Sequence, residues 1–197
     1  TAAFIQEAQV HYNTSYTAHQ IAHYHLYHDD YHKTTTYISD RVRHSPIPLS
    51  PIYPSTVEAV DRLHVTAVIL HLRITSSIKP LICLNVYRSP SGTADPCDYI
   101  RYVHQIQTYL SRKHPKRVFH DWLINGDLNV SHPSWGAPPG TQKKHKLGRK
   151  LYEHLLQYGY HIKNNGQPTR FWIDRTYTPH HSYIDITFTK GNIKIGT

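Results

Sequence analysis

The sequence predicts an α/β domain, and three observations carry that expectation. Residues 65–72 (VTAVILHL) and 81–90 (LICLNVYRSP) are nearly continuous apolar runs, as in strands covered on both faces. Ile100, Val103, Ile106 and Leu110 then recur at helical spacing. A third apolar run, Trp122-Leu123-Ile124, breaks at Asn125-Gly126, the pattern of a buried strand giving way to a turn.

In chain order, residues 3–7 (AFIQE) read as a short strand ending in Gln6 and Glu7. Residues 11–33 alternate His and Tyr with little apolar periodicity and read as a surface connection or edge strand. Their histidines lack the CxxC or HExxH frame of a zinc site, which speaks against a structural metal. Residues 34–44 (TTTYISDRVRH) are β-type, and the proline-rich stretch 45–54 is a loop or edge connection that cannot lie inside a sheet. A polar turn around residues 76–80 separates the two long strands, the second of which ends in Tyr87, Arg88 and Ser89. Phenol and guanidinium can both donate to phosphate. Asp95-Pro96 opens a helix over 96–112, with Asp95 as N-cap and proline at the first helical position. After the 122–124 strand, residues 137–146 (APPGTQKKHK) read as a basic loop. Leu147, Leu151, Leu155 and Tyr158 mark a second amphipathic helix that Gly159 stops. The motif GQPTRFW (166–172), a polar loop (176–181) and a last strand, SYIDITF (182–188), complete the chain.

Composition narrows the class. At 197 residues the chain suits one domain with a continuous core. Its 39% hydrophobic and 12% aromatic content argues against a disordered chain. Lys and Arg outnumber Asp and Glu by 22 to 13, a formal +9, which favours a polyanionic partner. Two cysteines form no disulfide framework, and Cys83, inside an apolar run, is expected as a buried thiol in a reducing, intracellular setting, nuclear or cytoplasmic. No segment reaches the roughly 18 apolar residues of a membrane span. The chain starts at Thr1 and contains no Met, so it is expected to be a piece of something longer.

The chemistry centres on residues 122–136, WLINGDLNVSHPSWG. Positions i and i+2 of a strand end share a face, so Asp127 and Asn129 are expected to project together from the sheet rim. A carboxylate beside a carboxamide can orient a water, help place a hard cation or grip a phosphate oxygen. Glu7 just past a strand end suits Mg²⁺, which takes few protein carboxylates and keeps several waters. Asp185 sits mid-strand between Ile184 and Ile186, where a carboxylate needs a partner.

AFIQE, NVYRSPSG, INGDLNVSHPSWG, GQPTRFW and SYIDITF stand in the order and spacing of the endonuclease/exonuclease/phosphatase superfamily. Together they most resemble the apurinic-like endonuclease domain of non-LTR (LINE-type) retrotransposons. GDLNVSHPSWG is the most specific part, because phosphatases of the superfamily share GDxN without the following H-x-x-W-G. The resemblance covers residues 3 to 190, weakly between 11 and 60. It implies a DNase I-like fold: a four-layer sandwich of two packed mixed β-sheets flanked by helices.

It also implies a Mg- or Mn-dependent DNA endonuclease that nicks target DNA for integration, within a longer polyprotein carrying a reverse transcriptase. By that resemblance Glu7 binds the metal and Tyr87 contacts the scissile phosphate. Asp127 orients or deprotonates the attacking water, Asn129 holds the phosphate and that water, and Asp185 orients a histidine of a terminal Ser-Asp-His. Hydrolysis places charge on equatorial oxygens and a leaving alkoxide, which a cation on Glu7 offsets. Arg88, Lys143, Lys144, Arg149 and Arg170 are expected on the DNA backbone, setting affinity and salt dependence without reading sequence. A monomer without membrane association is expected.

Some family features are missing. The Asn-bearing first strand would precede Thr1, the Ser-Asp-His would follow KGNIKIGT, and Ser89-Pro90 replaces the Asn that some relatives carry. His180 and His181 are not expected to replace the terminal histidine. Residues 1–197 are therefore expected to form one domain truncated at both ends, with impaired activity. Two alternatives remain: a non-catalytic nucleic-acid-binding remnant, and a phosphoesterase of the same fold acting on a small or lipid substrate.

Overall fold

The computed structural model describes residues 2–6, 21–29, 33–50, 55–58, 61–74, 77–140, 142–173, 175–191 and 193. Glu7 lies outside them. The elements run β1 (Ala2–Gln6), β2 (Tyr24–His28), β3 (Thr34–Ser39), β4 (His44–Pro46), β5 (Leu63–Ile74) and β6 (Ser77–Arg88). They continue with α1 (Tyr99–Lys113), β7 (Trp122–Asp127), α2 (Lys143–Gln157), β8 (His161–Ile162), β9 (Arg170–Ile173), β10 (Pro179–Ser182) and β11 (Asp185–Lys190).

A six-stranded mixed sheet in the order β4-β5-β6-β7-β11-β8 forms the centre. Its β6–β7 pair is parallel, the other pairings antiparallel. A parallel pair needs a long crossover, and α1 supplies it. A 3-10 turn, Pro96–Asp98, leads into that helix, with the Asp95 carboxylate accepting from the Cys97 amide at 2.9 Å.

Period two in the strands sorts the two faces of this sheet. Leu63, Val65, Ala67 and Ile69 of β5, Ile82, Leu84 and Val86 of β6, Trp122 and Ile124 of β7, and Ile186 and Phe188 of β11 share one core with Tyr102, Val103, Ile106 and Leu110 of α1 and Leu151 and Leu155 of α2. Fully burying such a side chain stabilises by roughly 1.5–3 kcal/mol, so this helical face carries most of the apolar stabilisation. The opposite face packs against an antiparallel sheet in the order β1-β3-β2 through a smaller core of Ile38, Val68, Leu70, Leu81 and Cys83. Burial pushes the Cys83 thiol up to about 12. The fold is the DNase I-like class expected from the sequence, with two sheets face to face and helices outside the larger one.

Three local expectations change. The basic run Lys143-Lys144-His145-Lys146 is the first turn of α2 rather than loop. Pro80 lies inside β6, opposite His71, where β7 has not yet begun to pair, so its missing N–H costs the sheet nothing. Pro179 to Ser182 form β10, hydrogen-bonded to β9 as a separate two-stranded hairpin. Among the described residues no helix is long and apolar enough to cross a membrane.

His71, His132, His145 and His154 all have pKa values below the ordinary 6.5, each chiefly because partial burial disfavours the imidazolium. Neighbouring cations add to this, Arg43 beside His71 and Arg149 beside His132. An imidazole whose folded value is depressed contributes stability that is fully present above 6.5 and is lost as pH falls towards the folded value. The urea midpoint is therefore expected to fall steadily between pH 7.5 and pH 5.5, a trend that chemical denaturation at fixed ionic strength would reveal.

Candidate active site

The register of the large sheet brings distant residues into one row. His64 of β5 pairs with Tyr87 of β6, Tyr87 with Asp127 of β7, and Asp127 with Asp185 of β11. Directly paired residues on neighbouring strands present their side chains on the same face, here the face towards the smaller sheet. Three residues expected at the site from the sequence, Tyr87, Asp127 and Asp185, thus stand side by side at the end of three adjacent strands. Tyr87 and Asp127 are almost fully buried and Asp185 is half-buried.

Behind this row lies a second polar one. Thr66 pairs with Asn85, Asn85 with Asn125, and Asn125 with Thr187. Asn85 is inaccessible to solvent and its amide donates to the Thr35 carbonyl at 3.1 Å, while the Thr36 and Thr66 hydroxyls meet at 2.8 Å. The Thr187 hydroxyl donates to Asn125 Oδ1 at 2.8 Å. Hydrogen bonds therefore join the two sheets near the site, and apolar packing joins them farther away.

The turn after β7 places Asn129. The Asp127 carboxylate accepts from the Asn129 amide at 2.9 Å, holding Asn129 in the left-handed region at φ 50°. Asparagine is among the few non-glycine residues that tolerate this conformation. Its Nδ2 donates to the Arg88 carbonyl at 2.7 Å, which fixes the carboxamide across from the end of β6. The tail of the turn, H-x-x-W-G, serves packing: His132 Nδ1 accepts from the Ser134 amide at 3.2 Å, and its ring stacks on Tyr152 at 4.4 Å. Trp135 is completely buried, and Gly136, at φ 102°, closes the turn where a Cβ would strike Gly166 O at 2.6 Å.

Asp185 is anchored through the GQPTRFW motif. Thr169 Oγ1 accepts from the amides of Ile184 and Asp185 at 3.2 and 3.1 Å. Asn164 ties the same segment down, donating to the Asp185 carbonyl and accepting from the Thr187 amide.

The expected cationic residues separate. Arg88 does not reach the surface: it points to the helical face, opposite Leu63, is 2% exposed, and its guanidinium donates to the carbonyls of Ala94 (2.6 Å) and Gly92 (2.8 Å). Its expected role as a DNA contact is corrected to that of a clamp on the loop after β6, because a strand-end arginine alternates with Tyr87 and so leaves the cleft face. Lys143, Lys144 and Arg149 are exposed on the first half of α2, and the Lys144 carbonyl accepts from the Ser131 amide at 3.1 Å, tying this basic end to the turn that carries Asn129. Arg170 opens the β9–β10 hairpin. Arg88→Met is expected to lower stability by about 2–3 kcal/mol through loss of charged hydrogen bonds to buried carbonyls, read as a shift in the urea midpoint.

Two features escaped the sequence. One is a buried pair, His64 Nδ1 to Asp29 Oδ2 at 2.8 Å, whose partners lie 35 residues apart with no motif to link them. The other is the hairpin surface, where Phe171, Ile173 and Tyr177 are strongly exposed.

The oxygen-rich end of the row suits a hard divalent cation. Like charges directly opposite each other on paired strands are destabilising, and Asp127 is the register partner of Asp185, an opposition that a bound cation would relieve. All-oxygen donors favour Mg²⁺ or Mn²⁺ over zinc. Among the described residues no group of three or more His, Cys, Asp or Glu side chains forms a ready-made metal cage.

Comparison with known proteins bears on this geometry. A family model described as endonuclease-reverse transcriptase matches residues 81–196, more than half of the chain. Among solved structures, the endonuclease domain of TRAS1, a telomere-specific non-LTR retrotransposon, superposes with a TM-score of 0.54 at 19% identity, covering 86% of this chain and 68% of that one. A mannosyl-6-phosphatase of Bacteroides thetaiotaomicron gives a TM-score of 0.47 at 14% identity, covering 87% of this chain and 64% of its own. At these identities the likeness to TRAS1 establishes the fold. No curated protein matches the chain.

Proposed function

Because this chain belongs to the endonuclease-reverse transcriptase family of the endonuclease/exonuclease/phosphatase superfamily, we propose that it is a metal-dependent DNA endonuclease that nicks target DNA for retrotransposon integration. The observation that carries this reading is the single row of Tyr87, Asp127 and Asp185 on three adjacent strands, with Asn129 held just beyond it.

In this reading Asp127 is the base. It takes the proton of the attacking water while its other contact, the Asn129 amide, keeps the carboxylate oriented. Asn129, fixed by the Arg88 carbonyl, presents its carboxamide to a phosphate oxygen and the water. The Tyr87 phenol donates to a second phosphate oxygen, and because the ring is buried it does so from a fixed position. Asp185 neighbours Asp127 and orients a group contributed from elsewhere, a histidine in the family pattern. Glu7 is the protein ligand for Mg²⁺ or Mn²⁺. Bound by Glu7, the cation would supply Lewis-acid stabilisation of charge on the phosphate and the leaving alkoxide.

Lys143, Lys144 and Arg149 are exposed on α2, and Arg170 opens the hairpin. Their charge offsets phosphates flanking the cut and makes affinity fall with salt. Phe171, Ile173 and Tyr177 offer aromatic and apolar surface on which exposed bases can stack or against which a groove can close. A reverse transcriptase in the same longer protein would then copy from the nick.

Incubation with supercoiled plasmid tests this. Conversion to the relaxed circle is expected with Mg²⁺ or Mn²⁺, suppressed by EDTA and by raised salt, and much faster than hydrolysis of a soluble phosphate ester. Faster turnover of the ester would instead support a small-substrate phosphoesterase. Salt-sensitive binding without any nicking would support a non-catalytic nucleic-acid-binding domain.

A further inference from the structure

We propose that His64, oriented by Asp29, is a positioning residue for Tyr87, a role that rests on the nuclease reading above. His64 is Tyr87's antiparallel register partner, and the two rings lie 6.1 Å apart between centroids at 40°. His64 therefore extends the site row by one strand, on the side away from Asp127. Its side chain is 2% exposed and that of Asp29 is 8% exposed.

The pair is built from both sheets. His64 belongs to β5 of the large sheet, whereas Asp29 immediately follows β2 of the small one. Asp29 is itself fixed: its Oδ1 accepts from the Thr34 amide at 2.7 Å and from the Thr34 hydroxyl at 3.2 Å, leaving Oδ2 to accept from His64 Nδ1 at 2.8 Å. A carboxylate held by the start of β3 thus sets both the tautomer and the ring plane of the imidazole. A structural tie between sheets would need neither a titratable pair nor a place in the site row. Thr36–Thr66 and Asn85–Thr35 already provide such ties one rank behind.

The consequence for Tyr87 is geometric. Its phenol must meet a phosphate oxygen within a few tenths of an ångström, and a misplacement of about 1 Å costs up to about a hundredfold in rate. Asp127 flanks Tyr87 through the parallel ladder on one side, and the His64 ring flanks it on the other. Removing the imidazole, or unlocking it by neutralising Asp29, lets the tyrosine ring tilt along the sheet. Phosphate binding through the cationic residues is untouched.

Two readouts test the proposal on the full chain. The first needs no activity: with 3-fluorotyrosine incorporated, Tyr87→Phe identifies the Tyr87 resonance by its loss. His64→Gln and Asp29→Asn are each expected to shift or broaden that resonance while those of Tyr99 and Tyr160, in the helical-face core, stay put. The second is nicking kinetics. Each variant is expected to lose about tenfold in kcat with KM changed by less than about twofold. The His64→Gln/Tyr87→Phe double variant is expected to be no slower than Tyr87→Phe alone, since a residue acting through Tyr87 cannot add to its removal. An unmoved Tyr87 resonance in a folded His64→Gln chain, or kcat losses that multiply in the double variant, would overturn the proposal. If His64→Gln does not fold, Asp29→Asn, which keeps the carboxylate's shape, carries the same two tests. Absence of Mg²⁺- or Mn²⁺-dependent nicking by the parent chain would instead sink the nuclease reading, and the His64–Tyr87 linkage would then stand or fall on the resonance alone.

Discussion

Asp127→Asn is expected to leave the fold intact and to reduce Mg²⁺-dependent nicking of supercoiled plasmid by roughly 10²- to 10⁴-fold, the usual contribution of a positioned general base. The choice of asparagine matters because Asp127 has two jobs. Its Oδ1 accepts from the Asn129 amide and so holds the left-handed turn that aims Asn129. An amide oxygen keeps that acceptor, whereas alanine removes it and mixes loss of the base with loss of the turn. Asparagine also removes the like-charge opposition to Asp185, so the urea midpoint is expected to stay level or to rise. A normal denaturation curve with nicking near background would assign the loss to chemistry. Retained nicking would show that the water is activated elsewhere and would remove the central role given to this residue.

Much of this site was legible in the sequence because its motifs sit at strand ends, where side-chain alternation and turn chemistry are local properties. NVY, GDLN and SYIDITF each announce a strand and the residue that leaves it. The match of Tyr87, Asp127 and Asp185 in one row follows once those strands are neighbours. Arg88 was misplaced for a related reason. Adjacent strand residues face opposite ways, so a tyrosine in the cleft sends the next arginine to the helical side, where loop carbonyls take it up. The Asp29–His64 pair had no local signature, because its partners meet only when the two sheets pack. The β9–β10 hairpin was hidden by composition: Pro179, His180 and His181 lack strand propensity, and the exposed Phe171 and Ile173 do not alternate against a core. The H-x-x-W-G extension was visible as a motif but not as packing, since the stacking of His132 on Tyr152 depends on α2 folding back over the turn.

The largest expected loss of stability from a single methyl group comes from Gly126→Ala. Gly126 is the residue before Asp127 and lies opposite Val86 in the parallel β6–β7 pair and opposite Ile186 in the antiparallel β7–β11 pair. A Cβ built there would stand 1.9 Å from the Val86 carbonyl oxygen and 2.8 Å from its carbonyl carbon. Both atoms are backbone, so no rotamer change relieves the clash, and the strands must move apart or β7 must twist. Overpacking of a filled interior ordinarily costs about 1–3 kcal/mol, and with only rigid neighbours available the cost here is expected at or above the upper end of that range. Separation of β6 from β7 would also break the register that seats Tyr87 beside Asp127, one residue farther along. Gly126→Ala is therefore expected to lower the urea midpoint sharply and, in whatever fraction remains folded, to abolish nicking while salt-dependent DNA binding through Lys143, Lys144 and Arg149 persists. A variant as stable and as active as the parent would mean that β6 and β7 do not approach each other this closely. The row of residues on which the catalytic assignment rests would then lose its geometric basis.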